Sequence, residues 1–356
     1  MSEERGRLRV HTREPMNAET APEALGTSFV TGNEEFFIRS HAPVPVLDAA
    51  SFRVEVDGLV ERAASYTVAE LERAFASVTL TATLVCAGNR RAELHAAREV
   101  LNEVIWDRGA IGNAIWGGVR LMDVLDLAGV NPEARYVWFE GADAVSEHGG
   151  LPFASCLPLD APALRDAVLA LTMNGSALPP DHGFPLRLVV PRCIGAKSIK
   201  WLRRIRLERE ESPSASHMRS YKVVAEDPGA GFDWSKVPPI DSPPLSSAIL
   251  IPEDGDSVSA GRVEARGYAY SAFGRIDGVE VRLDDGDWLA ATVEFGPVGV
   301  WALWGMSLSV EAGVHTLEVR ARDSSGGVQG GSALEAWNYR GYVNGSVHRI
   351  EFTALR

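Results

Sequence analysis

The stretch from residue 79 to residue 94, TLTATLVCAGNRRAEL, places a thiol close to two guanidinium groups. Its apolar, β-branched first half ends at Cys86, and Arg90 and Arg91 follow shortly after. Nearby positive charge favours thiolate over thiol, so this neighbourhood predicts a lowered pKa for Cys86. A thiolate can act as a nucleophile or as a ligand for a soft metal. The alternative is that Cys86 is simply a small buried hydrophobic residue.

Two further segments gather side chains that suit an anion. In FFIRSHAPVP, Arg39 and His41 are two residues apart, so on an extended chain both point to the same side. A surface arginine and a core histidine are the alternative interpretation. The turn GAKSIKW carries Lys197 and Lys200, and Arg187 precedes it. Turn amides together with cationic side chains indicate a cradle for a phosphate group.

The hydrophobic pattern predicts that mixed strands and helices position these groups. The alternating FRVEVDGLV and the apolar VTLTATLV are typical of strands, and the second strand leads directly into Cys86. Thr67 and Glu70 have the spacing of a capping box, which predicts a helix over residues 67–76. A later apolar stripe, which includes VRLMDVLDLA, predicts a second helix that ends at Gly129.

The pattern of the chain changes near Pro238. Beyond it, short strand-like segments alternate with turn signals, roughly every 8 to 15 residues, as in a β-sandwich of immunoglobulin type. We therefore predict an α+β protein of two domains, residues 1–238 and residues 239–356. Residues 1–28 are polar and carry two prolines, and they are expected to form an extended arm over the first domain.

Composition excludes several classes of partner. The chain has 356 residues, of which 35 are basic and 48 acidic, and its net charge of −13 argues against nucleic acid and against an anionic membrane. No apolar run reaches membrane-spanning length and no signal peptide is visible, so we expect a cytoplasmic location. Three cysteines without a CxxC pair indicate neither a disulfide framework nor a zinc site. The dinucleotide fingerprint and the P-loop, HExxH and GxSxG motifs are absent.

The chain resembles the sulfite oxidase family of molybdenum enzymes over nearly its full length. The resemblance is carried, in order, by FFIRSHAPVP, TLVCAGNRR, WDRGAI, MNGSALPPDHGFPLRLVVP, GAKSIKW and WNYRG, with HRI close behind. It implies a mixed α/β domain that binds a molybdenum–molybdopterin cofactor, followed by an immunoglobulin-like domain through which the family forms homodimers. Since little chain precedes Arg39, the resemblance is to the haem-free plant and bacterial members, and we expect no haem.

The resemblance also implies roles for individual residues. Cys86 aligns with the cysteine whose thiolate ligates molybdenum. Several fixed guanidiniums in a concave site would suit sulfite, which is a small dianion. The residues implied to form the sulfite pocket are Arg39, Arg91, Trp106, Tyr221 and Arg340. Those implied to hold the pterin and its phosphate are Phe37, Arg39, Ser40, His41, Cys86, Asp143, His182, Arg187, Ser198, Ile199 and Lys200.

The implied reaction is oxidation of sulfite to sulfate by oxygen-atom transfer, with electrons passed to an external acceptor such as oxygen or a cytochrome. Nitrate reductase shares the molybdenum domain, but it tends to have Met where Arg340 stands, so Arg340 favours sulfite. A sulfoxide or an organosulfur acid stays open as another substrate. A cofactor-free binding protein of the same fold is also open, although the intact set of Cys86 and three arginines argues against it. A thiol enzyme using Cys86 would need a general base that spacing does not identify.

Overall fold

The structure, a computed structural model, describes residues 3–5 and 7–356. Residues 1, 2 and 6 of the predicted arm therefore lie outside the described residues. The strands of the first domain are β1 (Glu3–Arg5), β2 (Leu8–Arg13), β3 (Met16–Thr20), β4 (Ile38–Arg39), β5 (Arg53–Gly58), β6 (Ala64–Thr67), β7 (Ser77–Val85), β8 (Ile111–Arg120), β9 (Tyr136–Glu140), β10 (Ala154–Pro158), β11 (Val168–Met173), β12 (Ser176–Ala177), β13 (Arg187–Val189) and β14 (Arg204–Glu208).

Short α-helices connect these strands and recur near the C-terminus. They are α1 (Val68–Ala74), α2 (Arg91–Ala97), α3 (Leu121–Ala128), α4 (Ala215–Met218) and α5 (Ala333–Ala336). The predicted capping box is confirmed, because the Thr67 side chain accepts from the backbone N–H of Glu70. The predicted second helix is α3, and it begins at Leu121, after the start of the predicted apolar stripe. Val119, the first residue of that stripe, belongs to β8 and pairs with Ser77 of β7. Among the described residues, no helix is both long enough and apolar enough to span a membrane.

The predicted N-terminal arm forms part of a sheet. Strands β1 to β4 follow one another in a four-stranded antiparallel sheet within the described residues. Asn17 in β3 lies opposite Arg39 in β4. The prediction of an extended arm lying over the domain is therefore corrected: its strands β2 and β3 belong to a sheet, and β3 pairs with β4, the strand that carries Arg39.

Two larger sheets carry the rest of the first domain. One has the order β10-β9-β14-β5-β6, and the other has the order β12-β11-β8-β7 with β13 beside β11. Strand β7 pairs antiparallel with β8 along its whole length, so that Val85 faces Ile111 and the chain leaves the sheet at Cys86. The apolar residues of the first sheet share one buried core with α1 and α3, including Val54, Leu71 and Leu125.

The second domain contains two further sheets built from strands that begin at Ser246. The strands are β15 (Ser246–Ile251), β16 (Ser257–Ser259), β17 (Gly261–Tyr270), β18 (Ile276–Leu283), β19 (Leu289–Ala290), β20 (Thr292–Glu294), β21 (Ala302–Val310), β22 (Gly313–Asp323) and β23 (His348–Leu355). Their orders are β15-β17-β21-β20 and β16-β23-β22-β18-β19. One buried cluster draws on both sheets, with Ile249 and Trp304 from the first and Val319 and Phe352 from the second.

The two domains meet directly behind the cysteine loop. A buried apolar cluster joins Val85 and Ile111 of the first domain to Tyr268 and Trp301 of the second. The Tyr268 hydroxyl accepts from Asn89 Nδ2 at 2.8 Å and donates to the Arg108 carbonyl at 3.0 Å. Since Asn89 belongs to the loop that follows Cys86, the second domain fixes the loop that carries the thiol.

We expect Tyr268→Phe to lower the free energy of unfolding by about 1–3 kcal/mol, because it leaves the Asn89 amide and the Arg108 carbonyl buried without that partner. Chemical denaturation followed by tryptophan fluorescence would measure the change. Tyr66→Phe, at a half-buried site in the first-domain core, is the control and is expected to have a much smaller effect. Equal stability of Tyr268→Phe and wild type would show that the hydroxyl does not tie the domains together.

Candidate functional site

A cavity of about 750 Å³, its open mouth included, lies where the loops after β4, β7 and β13 converge. All eleven residues predicted to hold the cofactor line it: Phe37, Arg39, Ser40, His41, Cys86, Asp143, His182, Arg187, Ser198, Ile199 and Lys200. Tyr221, predicted for the substrate pocket, lines it as well. The structure thus brings together segments that are far apart in sequence, whereas their binding roles stay predictions.

The loop after β7 is held by backbone hydrogen bonds that present Cys86 to this cavity. Cys86 N–H donates to the Ala110 carbonyl at 2.9 Å, and Ala110 N–H donates to Asn89 Oδ1 at 3.1 Å. Gly88 permits a close approach, because a Cβ there would lie 2.6 Å from the Arg91 guanidinium carbon. A side chain at position 88 would therefore displace the Arg91 guanidinium from its place beside the loop.

The prediction of a lowered pKa for Cys86 is wrong in this structure. Burial raises the pKa of the Cys86 thiol, and Arg91 and Arg39 act in the opposite direction without overcoming it. Arg90, which was expected to help, faces elsewhere: its Nε and Nη2 donate to the Glu93 carboxylate at 2.7 and 2.6 Å. A metal cation at the thiol would supply the missing positive charge, because coordination to a metal ion stabilises the thiolate and the thiol then gives up its proton to solvent.

A hydrogen-bond chain runs from Arg39 through His41 to Tyr221. Arg39 Nη2 lies 3.3 Å from His41 Nδ1, and His41 Nε2 lies 2.8 Å from the Tyr221 hydroxyl. Since a guanidinium only donates, Nδ1 is the acceptor and Nε2 carries the ring proton. Burial, reinforced by Arg39, holds the pKa of His41 well below its usual value, which keeps the ring neutral. Tyr221 therefore accepts from His41 and can donate its own proton within the cavity.

The cavity wall also holds cations whose hydrogen-bond partners are neutral. Arg187 donates to the carbonyls of His182 and Ser198 at 3.0 and 3.2 Å. Lys200 Nζ donates to Ser40 Oγ at 2.7 Å and to the Asp181 carbonyl at 2.9 Å. Burial lowers the pKa of Arg187 to about 9 and that of Lys200 to about 7. Burial therefore disfavours the positively charged forms of both side chains.

This donor set fits a phosphorylated, metal-bearing cofactor. Arg187 Nε is buried and has no hydrogen-bond partner among the described residues. A buried cation without a counter-ion is unfavourable, and an anion such as a phosphate would relieve that penalty. The thiol of Cys86 lines the same cavity and is the type of ligand that soft metals prefer.

Arg91 and Arg340 meet next to the cavity rather than in its lining. Arg91 is almost fully buried and donates to the carbonyls of Val104 and Gly341 at 2.6 and 3.2 Å. Arg340 Nη1 donates to Glu103 Oε1 at 2.9 Å, and Arg91 Nη2 lies 3.5 Å from Glu103 Oε2. Glu103 is thus the residue that joins the two predicted substrate arginines.

Three findings about this site were not available from sequence motifs. Trp106 is 1% exposed and packs in the core with Phe36 and Leu84, outside the described residues that line the cavity. Glu103 was missed because it lies in the irregular stretch between α2 and β8 and belongs to no recognised motif. Asn17 was also missed, although its buried side chain accepts from Arg39 Nη1 at 3.0 Å.

Known proteins resemble the chain in both domains. Residues 41–216 match the oxidoreductase molybdopterin binding domain, and residues 238–354 match the Mo-co oxidoreductase dimerisation domain. Over 96% of its length the chain is 42% identical to a sulfite oxidase of Gallus gallus and 38% identical to one of Arabidopsis thaliana, covering 77% and 93% of those proteins. Its fold matches the sulfane dehydrogenase SoxCD from Paracoccus pantotrophus with a TM-score of 0.83, at 27% identity over 97% of this chain and 88% of that one.

We expect Lys200→Gln to reduce the molybdenum content of the purified protein by at least about half, because the cavity wall loses a cation that an anionic group would engage. Metal analysis per chain would measure it, and Lys236→Gln at an exposed site is the control.

Since Lys200 has a pKa of about 7, its charge falls as the pH rises through that value, so cofactor loading should be better at pH 6 than at pH 8.5. Equal loading of the variant and wild type would contradict the role of Lys200.

Proposed function

The chain belongs to the sulfite oxidase family, and from this premise we propose that it oxidises sulfite to sulfate by oxygen-atom transfer at a molybdenum–molybdopterin cofactor. The electrons pass to an external acceptor. One observation supports the proposal most strongly: a single cavity combines the Cys86 thiol with a buried cationic wall, and the arginine pair Arg91 and Arg340 adjoins it.

The cavity residues divide the binding of the cofactor between them. Cys86 would ligate the metal, while Arg187 and Lys200 would hold the phosphate with charge-assisted hydrogen bonds. Asp143 lies at the same cavity and would be a further polar contact to the cofactor, and burial raises the pKa of its carboxyl. When bound, the molybdenum cofactor supplies the oxygen atom and takes up the two electrons of the reaction.

The arginines would bind and orient the substrate. Sulfite is a doubly charged anion, and several fixed guanidiniums can offset its desolvation and hold it in one orientation. Tyr221 would donate a hydrogen bond to an oxygen at the reacting centre, since its own oxygen already accepts from His41. Arg39 anchors that chain through His41 Nδ1.

The remaining parts of the proposal concern assembly and context. We propose that the two sheets of the second domain form an immunoglobulin-like sandwich and that the domain boundary lies near residue 238. The match of residues 238–354 to a dimerisation domain supports a homodimer, in which a twofold axis would pair the same surface of each copy. The absence of haem, the cytoplasmic location and the identity of the acceptor stay predictions.

A second candidate substrate is sulfur at the sulfane level. It is favoured by the full-length structural match to SoxCD, which is named as a sulfane dehydrogenase. A nitrate-reducing function is less favoured, because Arg340 stands where the resemblance to nitrate reductase leads us to expect Met. All three substrates require the same cavity, so turnover measurements must separate them.

Sulfite-dependent reduction of ferricyanide, on protein of known molybdenum content, tests the proposed function. Metal-loaded wild type is expected to turn over. Arg340→Met should lower kcat/KM for sulfite by at least about tenfold through loss of a charge-assisted contact. Arg209→Met, at an exposed arginine paired with Glu133, is the control. Protein that holds about one molybdenum per chain yet oxidises no sulfite would refute the substrate assignment, and nitrate and sulfane sulfur would be tested next.

A further inference from the structure

Glu103 holds together two arginines that come from different domains. Arg91 lies in the stretch that matches the molybdopterin binding domain, and Arg340 lies in the stretch that matches the dimerisation domain. The Glu103 carboxylate uses one oxygen for each: Oε1 lies 2.9 Å from Arg340 Nη1, and Oε2 lies 3.5 Å from Arg91 Nη2. Its side chain is only 12% exposed, so solvent screens the pairs weakly.

Glu103 is the carboxylate that balances this arginine pair. Among the described residues, neither guanidinium has another salt-bridge partner. Arg91 donates its other hydrogen bonds to two backbone carbonyls, and its guanidinium carbon lies 5.1 Å from the ring centre of Tyr342. Arg340 lies 5.7 Å from the ring centre of Trp234, and its Nε is buried without a hydrogen-bond partner among the described residues. Arg340 therefore keeps donor capacity that Glu103 does not use.

The charge of Glu103 reaches the cavity itself. Burial raises the pKa of Tyr342 to about 12, and Glu103 adds to that rise while Arg91 and Arg340 oppose it. Burial also raises the pKa of Tyr221, and Glu103 contributes in the same direction. The negative charge of Glu103 therefore acts on Tyr221, which lines the cavity, and on Tyr342, whose ring stacks on that of Tyr221 with the ring centres 5.5 Å apart.

A carboxylate and a sulfur oxyanion compete for the same donors. A guanidinium engages both through its N–H groups, and an oxyanion bound to Arg340 would lie close to the negative charge of Glu103. Arg39, Arg91 and Arg340 supply positive charge for a dianion, and the Glu103 carboxylate, which is paired with two of them, offsets part of that charge. A weaker positive field limits how tightly substrate and product are held.

We propose that Glu103 is a positioning and specificity-determining residue that keeps Arg340 beside Arg91 and weakens oxyanion binding. The inference rests on the proposed function for the identity of the oxyanion. Glu103 aligns the two guanidiniums across the domain junction before substrate arrives. Its negative charge then lowers the affinity for sulfite and for sulfate, which favours release of the product.

The test is Glu103→Gln in the molybdenum-loaded enzyme, compared with Glu99→Gln at an exposed site four residues earlier. The amide keeps an oxygen that can accept from Arg340 but removes the charge. We expect the Kd for sulfate, measured by isothermal titration calorimetry, and the KM for sulfite each to fall at least about threefold, with a smaller change in kcat. Glu99→Gln should match wild type.

Unchanged or weaker sulfate binding in Glu103→Gln would overturn the inference and leave Glu103 as a structural contact alone. Glu103→Asp keeps the negative charge but shortens the side chain that contacts the arginines. Its affinity for sulfate should therefore stay within about twofold of wild type. Clear tightening in the aspartate variant would also overturn the inference, and this variant decides the question if the glutamine variant does not fold. Sulfate binding can be measured without turnover. If Glu103→Gln binds sulfate more tightly but wild type does not oxidise sulfite, the proposed function is refuted and the inference about Glu103 still holds.

Discussion

The site depends on cations that are buried without a salt-bridge partner among the residues that the structure describes. Arg187 and Lys200 donate to neutral oxygens, and burial lowers the pKa of both groups. Such charges are unfavourable unless an anion joins them, so the surrounding fold must hold them in place by other means. This constraint explains why the cavity is built from loops fixed by sheets on one side and by a second domain on the other.

The second domain contributes to the site as well as to assembly. Tyr268 accepts a hydrogen bond from Asn89 and so fixes the loop after Cys86. Arg340 lies next to the cavity and is held there by its hydrogen bond to the Glu103 carboxylate. In the same way, the N-terminal strands hold Arg39 by pairing β3 with β4. Cys86, Arg39 and Arg340 are therefore held by residues distant in sequence, which is typical of sites at a domain junction.

The sequence predicted those features that local chemistry encodes. The capping box at Thr67, the strand into Cys86 and the turn with Lys200 follow from spacing, and the motif resemblance brought eleven residues to one cavity. The features it did not predict depend on burial and on long-range pairing. The raised pKa of Cys86 comes from burial that exceeds the effect of Arg91, and the partnership of Glu103 with two arginines spans both domains.

We propose that this cavity holds a molybdenum cofactor through the Cys86 thiolate. X-ray absorption at the molybdenum edge counts the sulfur neighbours of the metal. We expect one sulfur neighbour fewer in Cys86→Ser than in wild type, and no change in Cys193→Ser, because the buried Cys193 thiol is not among the described residues that line the cavity. The same sulfur count in wild type and Cys86→Ser would show that Cys86 does not ligate the metal.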